Sequence, residues 1–380
     1  MRTKRKCIGF QFFFDPRWMG GIIYVANSVK VLNFLDDKDK PEVFLFYPKK
    51  IQHIIDEIEY PYITKVVWGF AAIPKTFISS IFSRKNLFVA EMVNDYQLDT
   101  VFPMHYFPVK EKSNANLVAW FADLQHKYYP EFFTKRKLFE NDLKVKFLLK
   151  NANNLVVSSQ AVKDDFYKFY KIPNKLKIHV YHFVSIIDNL SNVSPKIIIG
   201  KYNLPDEYFM VSNQFHKHKN HKVVLQALAK LKSEGKEFHI AMTGSFPSEP
   251  DSPYLQELHN IMNKNDLKSN ISLLGLIPRE DQLILMKHAQ AIIQPSLFEG
   301  WSTVIEDARS LQTPVIASDL PVNIEQLEDK GKYFSAHNYT KLASLLIEQG
   351  KEDGELLYEP YEQRMKQAAY SFYSIFMDID

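Results

Sequence analysis

Short apolar segments alternate with helical stretches along almost the whole chain, and this alternation limits the fold more than any other feature. Continuous apolar runs between helices are typical of parallel strands whose two faces are covered by helices. The sequence therefore predicts an α/β protein built of doubly wound parallel sheets. The predicted strands are 6–12, 42–46, 64–67, 100–103, 117–121, 155–158, 177–180, 208–212, 239–242, 272–274, 291–294 and 315–317.

The pattern runs twice, and a polar segment separates the two runs. Residues 184–207 are rich in Asn, Ser and Pro, so we take them as the linker. A chain of 380 residues is long enough for two domains with separate cores. We expect one Rossmann-like domain at 1–185 and a second at 186–360. Helices are expected at 22–35, 135–150 and 361–376.

Charge and cysteine content exclude several classes of protein. The formal net charge is only +3, which argues against nucleic acid as a partner. A single cysteine, Cys7, excludes an internal disulfide framework and fits a reducing, cytoplasmic compartment. The basic and apolar N-terminus has no small-residue cleavage site, so we interpret it as a first strand. The sequence contains no Gly-x-x-x-x-Gly-Lys-[Ser/Thr] loop, which argues against a kinase or ATPase.

The segment 292–325 carries the clearest chemical signal. It reads as a strand, a tight turn with Glu299 and Gly300, a helix from about Thr303, and a further strand. The N-terminus of a helix offers unpaired N–H groups and partial positive charge to phosphate. Glu299 and Glu306 would add acceptors for sugar hydroxyls. The pattern therefore indicates a nucleotide-sugar site.

This segment resembles the donor loop of retaining glycosyltransferases of family four. Those proteins have the GT-B fold, in which two Rossmann-like domains face each other across a cleft. Their motif, Glu-Gly-Phe-Gly-Leu-Pro-x-x-Glu, has seven residues between the acids, whereas six separate Glu299 from Glu306. The resemblance implies that Glu299 reads sugar hydroxyls and that Glu306 holds the ribose. An alternative stays open, in which Thr303 and Glu306 form a capping box and contact no ligand.

Further donor contacts are implied by the same resemblance. The backbone of Gly300 and Trp301 would assist Glu299, and the amides of Ser302 and Thr303 would face the diphosphate.

A polar and basic segment follows the predicted strand at 208–212. Relatives carry Gly-Arg-Leu-x-x-x-Lys-Gly here, so Lys219 takes the position of the lysine and Gln214, next to Asn213, stands where arginine is common. A fixed cation stabilises the charge that develops on a diphosphate leaving group. The resemblance therefore implies that these residues bind the donor. A zinc site in this His-rich run lacks acidic or Cys partners.

Glycines follow three of the predicted strands. Gly20 and Gly21 come after the first strand, where relatives line the cleft beneath the phosphates. Gly244 ends a strand and allows close approach of the backbone to a ligand. Gly275 and Leu276 end the next strand, where relatives read the base through backbone groups.

The first domain matches the motifs of the family less closely than the second domain does. Relatives have a His-Asp pair after the fifth strand, where this chain has Ala122 and Asp123. Asp123 is therefore expected near the reacting sugar. Whether His126 or His105 replaces the missing histidine stays open, because a single histidine at a strand end fits a structural role equally well.

These observations lead to one main hypothesis. The chain is expected to be a retaining, metal-independent glycosyltransferase of the hexosyltransferase type, with no metal site and no cofactor beyond a nucleotide-sugar co-substrate of UDP or GDP type. A saccharide or lipid-linked hydroxyl would accept the sugar, in cell-surface polysaccharide synthesis. The family also implies that the C-terminal helix, 361–380, returns to the first domain. Alternatives are a nucleotide-sugar epimerase or phosphorylase of the same fold, or a non-catalytic polyanion-binding module.

A possible membrane contact also stays open. Residues 75–85 predict an amphipathic helix with basic ends. It either packs on its own domain or makes peripheral contact with the inner face of the membrane.

Overall fold

The chain divides into two compact units. The computed structural model describes residues 5–13, 19–70, 73–104, 115–187, 194–247, 252–349 and 358–377. One unit comprises Met1–Ile186 and Pro360–Asp380, and the other comprises Ile187–Glu359.

Each unit contains one parallel sheet. In the described part of the first unit, seven strands lie in the order β3-β2-β1-β4-β5-β6-β7, and six in the second have the order β10-β9-β8-β11-β12-β13. The strands are β1 (Cys7–Gln11), β2 (Glu42–Tyr47), β3 (Ile63–Val67), β4 (Thr100–Met104), β5 (Asn116–Phe121), β6 (Asn154–Val157), β7 (Lys177–Val180), β8 (Phe209–Ser212), β9 (Ile240–Thr243), β10 (Ile271–Gly275), β11 (Ile292–Gln294), β12 (Val315–Ser318) and β13 (Lys332–Phe334). The predicted fold class, doubly wound α/β, is confirmed.

Helices connect the strands. They are α1 (Met19–Lys30), α2 (Gln52–Asp56), α3 (Ile73–Ser83), α4 (Ala90–Tyr96), α5 (Gln125–Tyr128), α6 (Lys135–Asn151), α7 (Gln160–Phe169), α8 (Pro195–Lys201), α9 (His221–Ser233), α10 (Pro253–Lys264), α11 (Arg279–His288), α12 (Thr303–Ser310), α13 (Pro321–Leu327), α14 (Tyr339–Gln349) and α15 (Tyr361–Met377). Within the described ranges, no helix is both long and apolar enough to cross a bilayer.

The second sheet has a core on each face. Side chains of successive strand residues point to opposite faces. Val211 of β8 belongs to the core that contains α9, α10 and α14, whereas the adjacent Met210 packs with α8, α11 and α12. All residues of β8 are buried, as expected for a strand covered on both sides.

The C-terminal helix packs into the first unit. The ring of Phe372 lies 5.3 Å from that of Phe102 and 6.2 Å from that of Phe10. Phe376 contacts the same two rings. Because aromatic side chains bury large apolar areas, this cluster fixes α15 against β1 and β4.

Several local predictions need correction. Helix α1 begins at Met19, so Gly20 and Gly21 lie in its first turn and not in the loop before it. Helix α8 lies inside the segment 184–207 that was expected to be a linker. Strand β13 was not predicted, because its short segment, Lys332–Phe334, begins with a charged residue and shows no apolar run.

The order of the strands creates a switch point in each sheet. From β8 the chain adds β9 and β10 on one side, and it then returns to β11 on the other side. Helices on the two sides diverge there, which leaves a crevice at the carboxyl ends of β8 and β11. In the first sheet, β1 and β4 have the same relation.

Candidate functional site

Two amide side chains join the strand ends at the switch point of the second sheet. Asn213 follows β8 and Gln294 ends β11, and Asn213 Nδ2 donates to Gln294 Oε1 at 2.8 Å. Both side chains are buried. Because buried polar groups are stable only when they are hydrogen-bonded, this pair fixes the two strand ends where doubly wound sheets bind ligands.

Lys219 and Glu299 form an ion pair beside these amides. Lys219 Nζ lies 2.5 Å from Glu299 Oε1, and the side chains are 18% and 10% exposed. The same carboxylate oxygen accepts from Gln294 Nε2 at 2.8 Å. The structure thus brings together the cation and the acid that the sequence placed in different loops. The sequence analysis missed Gln294, although a polar residue at the end of an otherwise apolar strand is a detectable signal.

Hydrogen bonds to backbone carbonyls fasten the Lys219 loop to the Glu299 loop. Asn220, in the left-handed conformation with φ 54°, donates from Nδ2 to the Pro295 carbonyl at 3.0 Å. The Leu297 N–H donates to the His218 carbonyl at 2.7 Å. The ion pair therefore sits between two loops whose main chains are held together.

The histidines that flank Lys219 carry no charge at neutral pH. Burial, with a smaller effect from the charge of Lys219, lowers the pKa of His218 to about 4. His221 is fully buried and stacks on Phe215 at 4.3 Å, and burial lowers its pKa to about 3. The positive charge of this loop therefore comes from its lysines.

Two glycines shape the ends of β9 and β10. Gly244 has φ 145°, and a Cβ there would lie 2.2 Å from the Asn213 carbonyl oxygen. Its N–H donates to the Gly275 carbonyl at 2.9 Å. The close approach that requires glycine is therefore to the chain's own backbone. Leu276, which follows Gly275, and Gln214, in the loop after β8, are exposed.

The N-cap of α12 is Ser302 and not Thr303. Ser302 Oγ accepts from the Ile305 N–H at 3.2 Å, so the proposed capping box between Thr303 and Glu306 is wrong. Thr303 and Val304 stand in the first turn, where helix geometry leaves N–H groups without an intrahelical acceptor. Gly300 is buried and Trp301 is half-buried just before the cap.

Glu306 is fully buried within a hydrogen-bonded network. Its Oε1 accepts from Gln326 Nε2 at 2.8 Å and from Arg309 Nη1 at 3.0 Å. Gln326 also exchanges two hydrogen bonds with the backbone of Ser302. These bonds tie the start of α12 to α13, so Glu306 has a clear structural role. A role in ribose binding stays a prediction.

Asp307, the next residue, stands at the spacing typical of the family. Seven residues separate it from Glu299. Its two carboxylate oxygens bind Arg279 Nη1 and Nη2 at 2.7 and 2.5 Å. Asp307 is 4% exposed, whereas Arg279, which begins α11 after the Gly275 turn, is 49% exposed. Counting to the second acid of the Glu-Asp pair would have identified this residue.

The residues predicted in the first unit are the two glycines of α1, Asp123 and His126 near α5, and His105. Gly20 is exposed and Gly21 is buried in α1. The Asp123 carboxylate accepts from the N–H of Gln125, the first residue of α5, at 2.9 Å. His105 lies outside the described residues.

His126 is buried and lines a cavity of about 370 Å³ between α5 and α6. Its Nε2 lies 3.9 Å from Asp142 Oδ1. Burial, and to a smaller extent the charge of Lys127, lowers the pKa of His126. A catalytic role for this histidine stays a prediction.

No group of three or more His, Cys, Asp or Glu side chains is arranged to hold a metal ion in the part of the chain that the structure describes. The groups assembled at the second switch point are a lysine, carboxylates, amides and a helix N-terminus. Such a set can bind a phosphorylated ligand that also carries hydroxyl groups.

A family model described as glycosyl transferases group 1 matches residues 197–372, which include all of these second-unit residues. Residues 197–372 of this chain belong to the glycosyl transferases group 1. The family that the donor loop predicted is therefore confirmed.

One relative in this family is the O-antigen chain mannosyltransferase RfbU of Salmonella typhimurium. It is 26% identical over 213 residues, which are 56% of this chain and 54% of the relative. The matched stretch thus spans about half the length of that protein.

Two solved structures are similar over nearly the whole chain. Sucrose-phosphate synthase from Thermosynechococcus elongatus has a TM-score of 0.64 at 14% identity, over 98% of this chain and 97% of its own. Alr3699/HepE from Anabaena, solved with UDP and glucose, has a TM-score of 0.64 at 17% identity, over 98% and 94%. At such identity the likeness establishes the fold alone, and this chain has the GT-B fold.

Proposed function

We propose that this protein is a retaining, metal-independent glycosyltransferase that uses a nucleoside-diphosphate sugar. The Lys219–Glu299 ion pair at the switch point of the second sheet is the observation that carries the proposal. It places a cation for phosphate and an acceptor for hydroxyls side by side, where doubly wound sheets bind nucleotides.

Lys219 has the larger chemical task in this proposal. As the bond between the sugar and the diphosphate breaks, negative charge accumulates on the diphosphate oxygens. A fixed ammonium group in a partly buried site stabilises this charge more in the transition state than in the ground state. The N–H groups of Thr303 and Val304, at the start of α12, would contact the same diphosphate.

Glu299 would orient the sugar and the lysine together. Its Oε1 already binds Lys219 and Gln294, while its second carboxylate oxygen would accept from sugar hydroxyls. Asp123 and His126 stay candidates near the reacting centre. The resemblance to retaining members of the family implies front-face attack by the acceptor hydroxyl, with the departing phosphate accepting its proton.

For the ribose we propose Asp307 as the main ligand, ahead of Glu306. Asp307 is paired with a half-exposed arginine and stands at the spacing of the family, whereas the carboxylate of Glu306 is fully buried. Gly275 and Leu276 would contact the base through their backbone, and Gly244 would lie beside it.

The donor and pathway are proposed from relatives. The Anabaena structure contains UDP and glucose, and the Salmonella relative is named a mannosyltransferase of the O-antigen chain. We therefore propose a hexosyl donor of UDP or GDP type and a saccharide or lipid-linked acceptor in cell-surface polysaccharide synthesis.

A ligand panel tests the donor proposal directly. Melting temperatures are measured with UDP-, GDP-, ADP- and dTDP-sugars, because a ligand at 100 times its Kd stabilises the folded state by about 2.7 kcal/mol. One nucleotide class should raise the melting temperature of the wild type and of Lys222→Met, a control in the surface pair with Glu257. Lys219→Met should lose the shift. A shift that Lys219→Met retains would refute the site.

Incubation with the donor identified in this way separates transfer from the alternatives. Transfer predicts a glycosylated acceptor whose new anomeric centre, read by NMR coupling constants, keeps the configuration of the donor. Conversion of the donor to another nucleotide sugar without acceptor would instead indicate an epimerase.

A further inference from the structure

Two helices of the first unit expose apolar side chains that their own core does not cover. On α3, Ile78 and Phe82 are 54% and 85% exposed, and on α6, Phe139 and Leu143 are 70% and 46% exposed. In each helix the two residues are four positions apart, so they lie on one side of that helix. Large apolar residues grouped in this way on a surface mark an interaction site.

The two helices contact each other within the first unit. Phe77 of α3 and Phe147 of α6 contact each other edge to face, with ring centroids 5.1 Å apart. Each of these residues adjoins the exposed pair of its own helix. The exposed residues of α3 and α6 therefore lie on neighbouring helices of the same unit.

Cations surround these apolar residues. Residues 75–85 contain three Lys or Arg and no acid, and residues 135–150 contain six Lys or Arg and two acids, whereas the whole chain has a net charge of only +3. Lys146 and Lys150 are exposed on the same side of α6 as Leu143. Glu140 binds Arg136, and Asp142 binds Lys127 at 2.5 Å and Lys146 at the longer distance of 3.8 Å. The side chain of Lys146 is still 67% exposed, so its ammonium group remains accessible from solvent.

We propose that this α3–α6 face, formed by Ile78, Phe82, Phe139, Leu143, Lys146 and Lys150, docks the protein on an anionic lipid bilayer. The apolar side chains would enter the interface between headgroups and acyl chains, while the lysines would contact anionic headgroups. A second copy of the chain fits this face less well, because a two-fold interface sets the same basic residues against each other. The inference does not depend on the donor site.

Flotation of the full chain with lipid vesicles tests the proposal. The protein should bind vesicles of phosphatidylcholine mixed with phosphatidylglycerol, and it should bind pure phosphatidylcholine vesicles at least about tenfold more weakly. Added salt should weaken the binding, because it screens charges at an exposed surface.

Two variants address the two halves of the face. Phe82→Ser with Phe139→Ser removes apolar contact, and Lys146→Glu with Lys150→Glu reverses charge. Each pair should lower the affinity for the anionic vesicles at least about tenfold. The matched control is Ile197→Ser with Ile324→Ser, two residues of the second unit that are 64% and 45% exposed. It should bind as the wild type does.

Several results would overturn the proposal. Failure of the wild-type protein to bind anionic vesicles would contradict the proposal directly. The proposal would also be wrong if the face variants bound as tightly as the wild type, or if the control variant lost as much binding as they do. A wild-type dimer in solution that Phe82→Ser with Phe139→Ser dissociates would assign the face to self-association instead. Circular dichroism checks that each variant is folded, and the charge-reversal pair keeps the test decisive if the serine pair does not fold.

Discussion

A double-mutant cycle on Lys219 and Glu299 tests the geometry on which the proposed site depends. The variants are Lys219→Met, Glu299→Gln and their combination. Each single change leaves a largely buried partner with an altered set of bonds. Lys219→Met leaves the carboxylate with Gln294 at 2.8 Å, and Glu299→Gln leaves the ammonium beside a neutral amide.

The size of the effect follows from burial. Removing one partner of a fully buried pair costs about 3–5 kcal/mol, whereas exposed pairs contribute about 0–1 kcal/mol. Side chains that are 18% and 10% exposed fall between these limits, nearer the buried one. We therefore expect each single variant to lower the free energy of unfolding by about 2–3 kcal/mol. The double variant should cost less than the sum, with a coupling of about 1–2 kcal/mol.

Urea unfolding without ligand measures the cycle. The same cycle on Lys222 and Glu257, whose side chains are 43% and 39% exposed, is the matched control and should show coupling below about 0.5 kcal/mol. If Lys219 and Glu299 gave additive effects, the ion pair would not exist in solution. Turnover is measured on the same proteins, and Lys219→Met should lower kcat about 10²- to 10³-fold.

Three further predictions concern single positions. Gly244→Ala should lower the free energy of unfolding by about 3 kcal/mol or more, because the added methyl group would lie 2.2 Å from a backbone carbonyl oxygen. Gly200→Ala is the control: this glycine lies in a helix with open space around it, so the change should not destabilise the protein. Equal effects of the two changes in urea unfolding would contradict this prediction. Asp307→Asn should weaken donor binding about tenfold, as measured by calorimetry, whereas Glu306→Gln should mainly lower the free energy of unfolding, by about 1–3 kcal/mol. The reverse pattern would indicate that Glu306 is the main ribose ligand. The pKa of His221 is lower in the folded than in the unfolded state, so its contribution to stability is present above about pH 6.5 and is lost as the pH falls. Between pH 6 and pH 5 this loss lowers the free energy of unfolding by about 1 kcal/mol. Urea titrations at the two pH values measure the loss, and it should be absent in His221→Phe.

The strand pattern of the sequence was sufficient to predict the fold class. Strands such as β8 and β12 are continuous apolar runs because helices cover both faces, and that composition is visible without a structure. Short elements were harder to predict. Strand β13 is defined by its backbone pairing with β12, and the pattern of its own three residues does not indicate a strand.

Individual residues of the site were predictable where a single loop contains a recognisable motif. Lys219 and Glu299 each stood out in a recognisable loop. Their direct contact was not predictable, because they are 80 positions apart in the sequence and only the strand order brings β8 beside β11. Gln294 carried a signal, as a polar residue at the end of an apolar strand, but its hydrogen bonds to Asn213 and Glu299 were not predictable from the sequence.

The adjacent acids Glu306 and Asp307 show where motif spacing stops being informative. In an α-helix, neighbouring residues point about 100° apart, so two consecutive acids cannot face the same partner. Which of them turns toward a ligand is decided by the elements that pack on either side. Gln326 of α13 binds the first acid, and Arg279 of α11 binds the second. Arg279 is 49% exposed, whereas Gln326 is buried and Arg309, the other partner of Glu306, is 20% exposed, so the second acid is paired with the more accessible group.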